Sequence, residues 1–386
     1  MIDNKKSPEI RFDSFIEPWE IKHFHEVLIV NSGRDYKHLD KGTISVYGTG
    51  GYMLSVNDKL SDVDGVGIGR KGTIDKPQYL KAPYWTVDTL FFLTTNKAYD
   101  LMFLYSMAQC IDWKIYNEAT GVPSLSKVVI EKITQRFPVY DEQIIIGNFF
   151  SSLDDAIVSK KQEYEKTINI KKSMLEKMFP TKGADVPEIR FDGFTEPWEI
   201  RKLGEHTKLI TKGTTPKDKS GHGDIHFVKV ENIINGQIIP VSCISVDEHE
   251  NYLSRSKLEE NDILFSIAGT LGRTALVCKS ILPANTNQAL AIIRGYDFDI
   301  QFLLVSLNSS MVVEYLQRNP VVGAQPNLSL AQIGDLTIRT PSKAEQIAIG
   351  NFFLTLDTLI DTKRQALKKL QNIKNACLNK MFVIGA

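Results

Sequence analysis

Apolar residues recur at regular intervals in two long segments without proline, residues 146–179 and 349–382. In the first segment they step alternately by four and seven residues, at Leu153, Ile157, Tyr164, Ile168, Leu175 and Phe179. The second segment keeps this frame, with Gln371 replacing one apolar member, at Leu356, Ile360, Leu367, Leu378 and Phe382. Because Lys, Glu, Gln and Leu fill the other positions, the pattern predicts two amphipathic α-helices of about 50 Å each.

A single amphipathic helix of this length cannot bury its own apolar stripe. We therefore predict that the two helices pack on each other in antiparallel directions and form a strut. The alternative is that each helix packs only into the core of its own half of the chain.

The two predicted helices are also repeats of each other. Residues 146–179 and 349–382 are identical at 18 of 34 positions, and a shorter pair, 8–22 and 187–201, is identical at 12 of 15. The segments between these repeats share little sequence. Repeated connectors around unlike blocks indicate a pseudo-two-fold body in which each half performs the same function on a different target. The alternative is an old duplication whose halves have merely drifted apart.

The unlike blocks, roughly 23–140 and 202–340, have an α+β composition. Short β-like runs alternate with Gly, Asn and Pro, at Thr43–Tyr47, Gly65–Ile68, Thr89–Leu93, His226–Val230, Ile263–Ile267 and Ala289–Ile293. Helical patterns occur near Lys97–Ala108 and Phe302–Gln317. We predict an α+β fold with four segments: two blocks with their connectors, 1–140 and 186–340, and two helical segments, 141–185 and 341–386.

Glycine-rich loops with Lys, Arg, Thr and amide residues supply the candidate chemistry. Such loops let backbone N–H groups approach phosphates, and amide and guanidinium groups can read base edges. The candidates in the first block are Tyr47, Gly48, Thr49, Gly50, Gly51, Arg70, Lys71, Thr73 and Lys76. Those in the second block are Lys212, Thr214, Thr215, Lys217, Lys229, Ser266, Thr270, Arg273, Thr274, Asn287, Gln288, Gln325 and Asn327.

The candidate nucleotide motif in the first block is weak. Gly67, Gly69 and Gly72 formally satisfy GxGxxG, but a dinucleotide site needs a helix to begin there. The chain continues instead as Thr73-Ile74-Asp75-Lys76-Pro77. We therefore interpret these glycines as part of a loop.

The balance of basic and acidic residues weakens the case for DNA binding by this chain alone. The chain has 46 basic and 46 acidic residues among 386, so bulk charge does not hold it on nucleic acid or an anionic membrane. The first block carries 13 basic and 12 acidic residues, and the second carries 13 and 14. Either the charges are segregated onto faces, or a more basic partner shares the DNA.

Other classes are excluded by what the sequence lacks. The longest uncharged apolar stretch, Leu101–Ile111, is far shorter than a membrane span. The four cysteines are widely spaced, which favours reduced, structural thiols and a cytoplasmic location. The sequence contains no ATP-binding GxxxxGK[ST], no zinc HExxH and no Asn/Asp-Pro-Pro-aromatic signature of amino-methylation.

A nuclease-like Glu-Ile-Lys occurs at residues 20–22, but its copy reads Glu199-Ile200-Arg201. We predict that Pro18-Trp19 and Pro197-Trp198 beside these tripeptides form packing corners.

The alternation of repeats and unlike blocks resembles the specificity subunit of type I restriction–modification systems over nearly the whole chain. The local phrases are similar too. They are Tyr47–Gly51 with Gly69–Thr73, Asp262–Ser266 with Gly269–Gly272, Gln325–Ser329 and, at the start of the second helix, Ser342–Phe353. The Glu-Gln of that last phrase also occurs in the first copy as Glu142-Gln143.

The resemblance implies two α/β target-recognition domains joined by the helix pair, with each domain reading half of a split, asymmetric site in double-stranded DNA. It implies two methyltransferase subunits that use S-adenosylmethionine and dock on the helices and domains, and restriction–translocation subunits that use ATP and Mg²⁺. The chain itself would hold no catalytic residue, metal or cofactor. Two rival classes remain open, an enzyme with an undetected nuclease or methyltransferase site and a scaffold whose blocks bind proteins.

Overall fold

The computed structural model describes residues 7–96, 98–181, 183–318 and 327–383. Contacts divide the chain into two compact units. The first unit consists of the residues up to Glu163 together with those from Lys363 onward, and the second runs from Tyr164 to Thr362. Each unit therefore contains parts of both long helices.

The described residues of the first unit form an α+β body with nine strands. The strands are β1 (Glu20–His23), β2 (Leu28–Ser32), β3 (Lys41–Gly48), β4 (Gly51–Val56), β5 (Gly65–Gly69), β6 (Gln78–Leu80), β7 (Tyr84–Thr86), β8 (Leu90–Thr95) and β9 (Thr134–Phe137). Its helices are α1 (Phe24–Val27), α2 (Leu101–Cys110), α3 (Lys127–Lys132) and the long α4 (Tyr140–Lys177), which continues into the second unit.

Within its described residues, the second unit repeats this strand order and adds a two-stranded hairpin and further short helices. Its strands are β10 (Glu199–Lys202), β11 (Thr207–Lys212), β12 (Ile225–Val228), β13 (Ile233–Ile234), β14 (Gln237–Ile238), β15 (Ser242–Ile244), β16 (Ile263–Ser266), β17 (Thr274–Leu276), β18 (Ala284–Thr286), β19 (Leu290–Tyr296) and β20 (Thr337–Thr340). Its helices are α5 (Val246–Glu250), α6 (Ile300–Ser306), α7 (Ser310–Arg318), α8 (Leu330–Gly334) and the long α9 (Lys343–Met381).

The two units share one sheet topology although their blocks share little sequence. A four-stranded sheet has the order β2-β8-β5-β6 in the first unit and β11-β19-β16-β17 in the second. A three-stranded sheet has the order β4-β3-β7 in the first and β15-β12-β18 in the second, and a two-stranded ribbon is β1-β9 or β10-β20. All six predicted β-like runs lie on strands of these sheets, within a residue or two of their ends. The predicted α+β class is confirmed.

The repeated tryptophans anchor equivalent aromatic clusters, as the predicted packing corners require. Trp19 is buried in the first unit, with its ring centroid 5.8 Å from that of Phe103 and 6.2 Å from that of Phe382. Trp198 is buried in the second unit, 6.0 Å from Phe302 and 5.8 Å from Phe179. Each cluster is therefore completed by the last phenylalanine of a helical repeat.

A buried ion pair joins the two repeated motifs inside each unit. In the first unit, Nε and Nη2 of Arg11 each donate to one carboxylate oxygen of Glu142 at 2.7 Å. In the second, Arg190 makes the same two bonds to Glu345 at 2.7 and 2.8 Å. These hydrogen bonds raise the pKa of Arg11 and of Arg190. This ion pair fixes the two repeated motifs to each other in each unit, and we call it the buried lock. Glu20 of the nuclease-like tripeptide lies at the surface and pairs with Lys22.

The glycine of the repeated Ile-Gly-Asn-Phe-Phe phrase permits a close helix approach. A Cβ on Gly147 would lie 2.3 Å from Oδ1 of Asp100, the residue that caps α2. A Cβ on Gly350 would lie 2.8 Å from Oδ1 of Asp299, which caps α6. Any larger residue would separate the long helix from the helix beside it.

The long helices run antiparallel within each unit, as predicted. In the first unit, Glu163 pairs with Lys363 at 2.8 Å and Asp154 pairs with Lys374 at 2.5 Å. Hydrogen bonds from Lys160 and Lys363 lower the pKa of Glu163 to about 2. In the second unit, Lys171 pairs with Asp357.

The helix boundaries and one packing residue differ from the sequence pattern. Both helices begin six residues before the apolar pattern at 146 and 349, because the polar residues of their first turns are buried on specific partners. Ile168 is 37% exposed, whereas Thr167 beside it is buried. A stripe residue is buried only where the facing helix reaches it, and periodicity does not show that point. The other stripe residues are partly or fully buried.

Candidate nucleic-acid interface

The second unit has an open cavity of about 960 Å³ at one end of its four-stranded sheet. Six of the residues predicted from composition line it, namely Lys212, Thr270, Arg273, Asn287, Gln288 and Asn327. They come from four separate parts of the chain: the end of β11, the β16–β17 loop, the β18–β19 turn and the segment before α8. The fold thus gathers positive and amide side chains into one concave surface.

Backbone hydrogen bonds hold these four parts together. The amide of Leu328 donates to the carbonyl of Ile267 at 2.8 Å, and a bridge joins Ala268 to Asn327. The amide of Ile267 donates to the carbonyl of Ala289, also at 2.8 Å. The cavity is therefore a built feature of the sheet end.

Two of the predicted residues, Ser266 and Thr274, have buried side chains that hold the β16–β17 loop in place. Ser266 is buried, and its hydroxyl donates to the carbonyl of Thr270 at 2.6 Å while accepting the amide of Arg273 at 2.7 Å. Thr274 is also buried, and its hydroxyl accepts from the side-chain amide of Asn308 at 2.8 Å. Their side chains support the loop rather than line the surface.

Lys212 and Arg273 carry the positive charge of the cavity wall. Among residues that the structure describes, no acidic group lies within ion-pair distance of Lys212 or Arg273. One guanidinium nitrogen of Arg273 donates to the carbonyls of Val230 and Ile233, at 3.3 and 3.2 Å. Both cations are exposed, so each can meet an anion from solvent, and one carboxylate, that of Glu231, lies on the same wall.

The neighbouring loop that contains Thr214, Thr215 and Lys217 is held against this edge. The hydroxyl of Thr215 donates to the side-chain oxygen of Gln288, and the amide of Thr214 donates to the carbonyl of Thr286 at 3.0 Å. The ammonium of Lys217 lies 4.4 Å from the ring centroid of Tyr252. Lys229, at the end of β12, is partly buried. Gln325 lies outside the described residues.

The candidate loops of the first unit also meet at one end of its sheets. Tyr47, Gly48, Thr49, Gly50 and Gly51 form the turn of the β3–β4 hairpin. The side-chain amide of Gln78 donates to the carbonyls of Gly48 and Thr49, at 2.9 and 3.2 Å. Arg70 and Lys71 are exposed directly after β5, and Thr73 and Lys76 follow in the β5–β6 loop, partly buried and exposed respectively.

The two sheet ends are built in the same way. Each has a loop anchored to a turn and to a later segment, and a glycine whose amide donates to the turn's far end. In the first unit, the amides of Arg70, Leu125 and Gly33 donate to the carbonyls of Thr89, Arg70 and Leu90, respectively. In the second unit, the equivalent amides of Ile267, Leu328 and Gly213 donate to the carbonyls of Ala289, Ile267 and Leu290. The glycine-rich loops found by composition in both blocks therefore occupy equivalent places.

The candidate residues predicted from the sequence did not include the β7–β8 turn or the segment around Ser124 in the first unit. Asp88 is exposed in the β7–β8 turn, at the position equivalent to Gln288, and Ser124 bridges to Lys71 as Asn327 bridges to Ala268. A faint signal was present, since residues 83–90 (PYWTVDTL) and 283–290 (PANTNQAL) share Pro, Thr and Leu at equal spacing. Three identities could not be separated from chance without the sheet pairing.

The described residues contain no group of His, Cys, Asp and Glu side chains that could hold a metal ion. Within the same ranges, no helix is both long and apolar enough to cross a membrane. Burial raises the pKa of the Cys110 thiol to about 12, which keeps it protonated and unreactive.

Comparison with known proteins agrees with this architecture. A family model described as type I restriction modification DNA specificity domain matches residues 16–168 and 195–372. The MjaVIII specificity subunit of a type I restriction enzyme of Methanocaldococcus jannaschii is 24% identical over 298 residues, which are 74% of this chain and 70% of that protein. The putative MjaX specificity subunit of the same organism is 23% identical over 279 residues, 69% of this chain and 62% of that protein.

Among solved structures, the type I restriction–modification S subunit from M. genitalium superposes with a TM-score of 0.70. The match covers 98% of this chain and 100% of that one at 15% sequence identity. At this identity the likeness concerns the fold.

Proposed function

Since the chain belongs to the type I restriction–modification DNA specificity family, and is a non-catalytic specificity subunit with two target-recognition domains, we propose that each unit reads one half of a split, asymmetric DNA target. The observation that carries this proposal is the equivalent sheet end in both units. The same backbone hydrogen bonds present different side chains in each unit. One docking geometry with two chemistries is what two unlike half-sites require.

We propose that the helix pair sets the distance between the half-sites. A helix of 38 residues, such as α4, is about 57 Å long at about 1.5 Å per residue. That length matches about 17 base pairs at about 3.4 Å each. Two half-sites about one helical turn apart, facing the same side of the duplex, fit within it.

We propose that the partners are two methyltransferase subunits, which use S-adenosylmethionine, and restriction–translocation subunits, which use ATP and Mg²⁺. Such a complex would act on double-stranded DNA in the cytoplasm. Its methyltransferase subunits would supply the positive charge that this chain, with a net charge of zero, lacks.

Methylation mapping tests the DNA-reading role. The chain is co-expressed with its methyltransferase subunit, and methylated adenines are located across the host genome. We expect a bipartite asymmetric motif with a fixed gap. The double substitution Lys212→Ala/Arg273→Ala should weaken methylation at every site, because two phosphate contacts are removed, and should reduce the salt dependence of DNA binding by roughly two units of slope.

The matched control is Lys208→Ala/Lys279→Ala, which removes two exposed cations of the same unit away from the cavity. It should leave motif and salt dependence unchanged. Identical methylation in cells without the chain would mean that the methyltransferase chooses its own sites, and the role proposed here would be wrong.

The docking of two identical partners has its own structural support. Ile21 on β1 is 51% exposed, and Ile200, its counterpart on β10, is 63% exposed. Each lies opposite an arginine of the paired strand, Arg136 or Arg339. Equivalent apolar residues exposed on both ribbons suit two copies of one methyltransferase subunit.

Ile21→Asp or Ile200→Asp should therefore each displace one methyltransferase copy. A charge at a contact that is buried in the complex should weaken that site by at least about tenfold. Native mass spectrometry of the assembled complex counts the copies. Ile29→Asp, at an exposed position of β2 in the first unit, is the control and should retain two copies. Two copies on both ribbon variants would place docking elsewhere.

A further inference from the structure

The turns at 86–90 and 286–290 are equivalent rigid loops that each present one side chain. Thr86 and Leu90 are fully buried in the first unit, and so are Thr286 and Leu290 in the second. The amide of Leu90 donates to the carbonyl of Val87 at 2.9 Å, and that of Leu290 donates to the carbonyl of Asn287 at 3.3 Å. At the tip of each turn lies an exposed residue, Asp88 or Gln288.

Each turn is also tied to the neighbouring three-stranded sheet. The amide of Val87 donates to the carbonyl of Tyr47 at 3.0 Å, and the amide of Asn287 donates to that of Val228 at 3.4 Å. With both flanks buried and the backbone bonded on two sides, the tip position is fixed. A fixed position is what a base-reading side chain needs, because a loosely held one loses discrimination.

The surroundings of each tip suit a DNA groove. In the first unit, Nη1 of Arg70 donates to the carbonyl of Asp88 at 3.5 Å, and its guanidinium lies over the ring of Phe91, 5.7 Å from the centroid. In the second, Gln288 lies on the cavity wall that also carries Lys212 and Arg273. Cations beside the tip position the phosphate backbone, and the tip then faces the base edges.

The two tips differ in hydrogen-bonding chemistry. An ionised aspartate only accepts, so it matches the N4 amino donor of cytosine, whereas the major-groove edge of a guanine at that position would offer it only acceptors. A glutamine both donates and accepts, so it matches N6 and N7 of adenine. The Oγ1 hydroxyl of Thr215 donates to the side-chain oxygen of Gln288, which orients that amide.

We propose that Asp88 and Gln288 are specificity-determining residues, each reading one base pair of its own half-site, Asp88 a cytosine and Gln288 an adenine. The proposal rests on the proposed DNA-reading function, and it adds the positions and bases involved. It gives the two units different targets through a single equivalent position on one shared backbone.

The experiment is methylation mapping with the chain and its methyltransferase subunit, comparing wild type, Asp88→Gln and Gln288→Asp. Asp88→Gln should change one cytosine of one half-site to adenine, with a loss of preference for cytosine of roughly 5- to 150-fold, the cost of one mismatched base pair. The other half-site and the gap should remain. Gln288→Asp should do the converse in the other half-site.

Asp58→Gln is the matched control, because Asp58 is an exposed carboxylate beyond the opposite end of β4 from the hairpin turn. It should leave the motif unchanged. If Asp88→Gln abolishes methylation, Asp88→Asn decides: an adenine newly accepted at the cytosine position supports the proposal, and an unchanged position overturns it.

A wild-type motif that both tip variants reproduce would overturn the proposal and leave the proposed function standing. A wild-type complex without any sequence motif would overturn the proposed function itself.

Discussion

Replacing Arg11 with leucine should lower the free energy of unfolding of the first unit by about 3–5 kcal/mol, the cost of leaving a buried charge unpaired. The carboxylate of Glu142 is 0% exposed and receives both guanidinium bonds at 2.7 Å. Trp19 adds a bond from its indole nitrogen at 3.4 Å. Without Arg11, that single weak donor would remain for a carboxylate that water does not reach.

The double variant Arg11→Leu/Glu142→Leu should recover most of this loss, because removing both charges also removes the desolvation cost. Hydrogen exchange of the backbone amides localises the effect, since each unit reports its own opening free energy. The matched variant Arg190→Leu should produce the same loss in the second unit, where Glu345 is equally buried. A change below about 0.5 kcal/mol for Arg11→Leu would mean that the carboxylate is paired elsewhere.

The buried lock shows where sequence reasoning ends. Arg11 and Glu142 lie 131 residues apart and both lie within repeated phrases, so the repeats marked them without revealing their pairing. The apolar pattern begins only at residue 146, so periodicity does not show that Glu142 and Gln143 are buried. Their burial depends on partners that only the folded chain brings together.

Periodic features were predictable because they are local. The two helices follow from the spacing of apolar residues, and the six β-like runs from their composition. The candidate interface was found only in part. Glycine-rich loops can be recognised from composition. Asp88 joins the candidate interface only because β8 pairs with β5 and β2, which places the β7–β8 turn beside Arg70.

The divergence of the blocks has a physical basis in the same pairing. The hydrogen bonds that build both sheet ends join backbone groups. Every residue type supplies these groups, except that proline lacks the backbone N–H. Few side chains are constrained: buried Thr86 and Leu90 recur as Thr286 and Leu290. The exposed positions can change without cost to the fold, so under the proposed function a new specificity needs no new structure.

Replacing Phe382 with alanine should destabilise the first unit by about 3–5 kcal/mol, although this residue lies at the far end of the chain in sequence. Its ring centroid lies 5.3 Å from that of Phe103 and 5.7 Å from that of Phe150, and its side chain is buried. Truncation would leave a cavity inside the aromatic cluster that also holds Trp19.

The matched variant Phe179→Ala should instead destabilise the second unit, because Phe179 lies 5.9 Å from Phe302 and 6.2 Å from Phe353. Ile373→Ala on α9 is the control for loss of apolar area on an exposed helix face and should change either unit by less than about 0.5 kcal/mol. Hydrogen exchange again separates the two units. If Phe382→Ala lowered protection equally in both units, the helical repeats would couple them into one cooperative body, and the assignment of each terminal phenylalanine to a single core would be wrong.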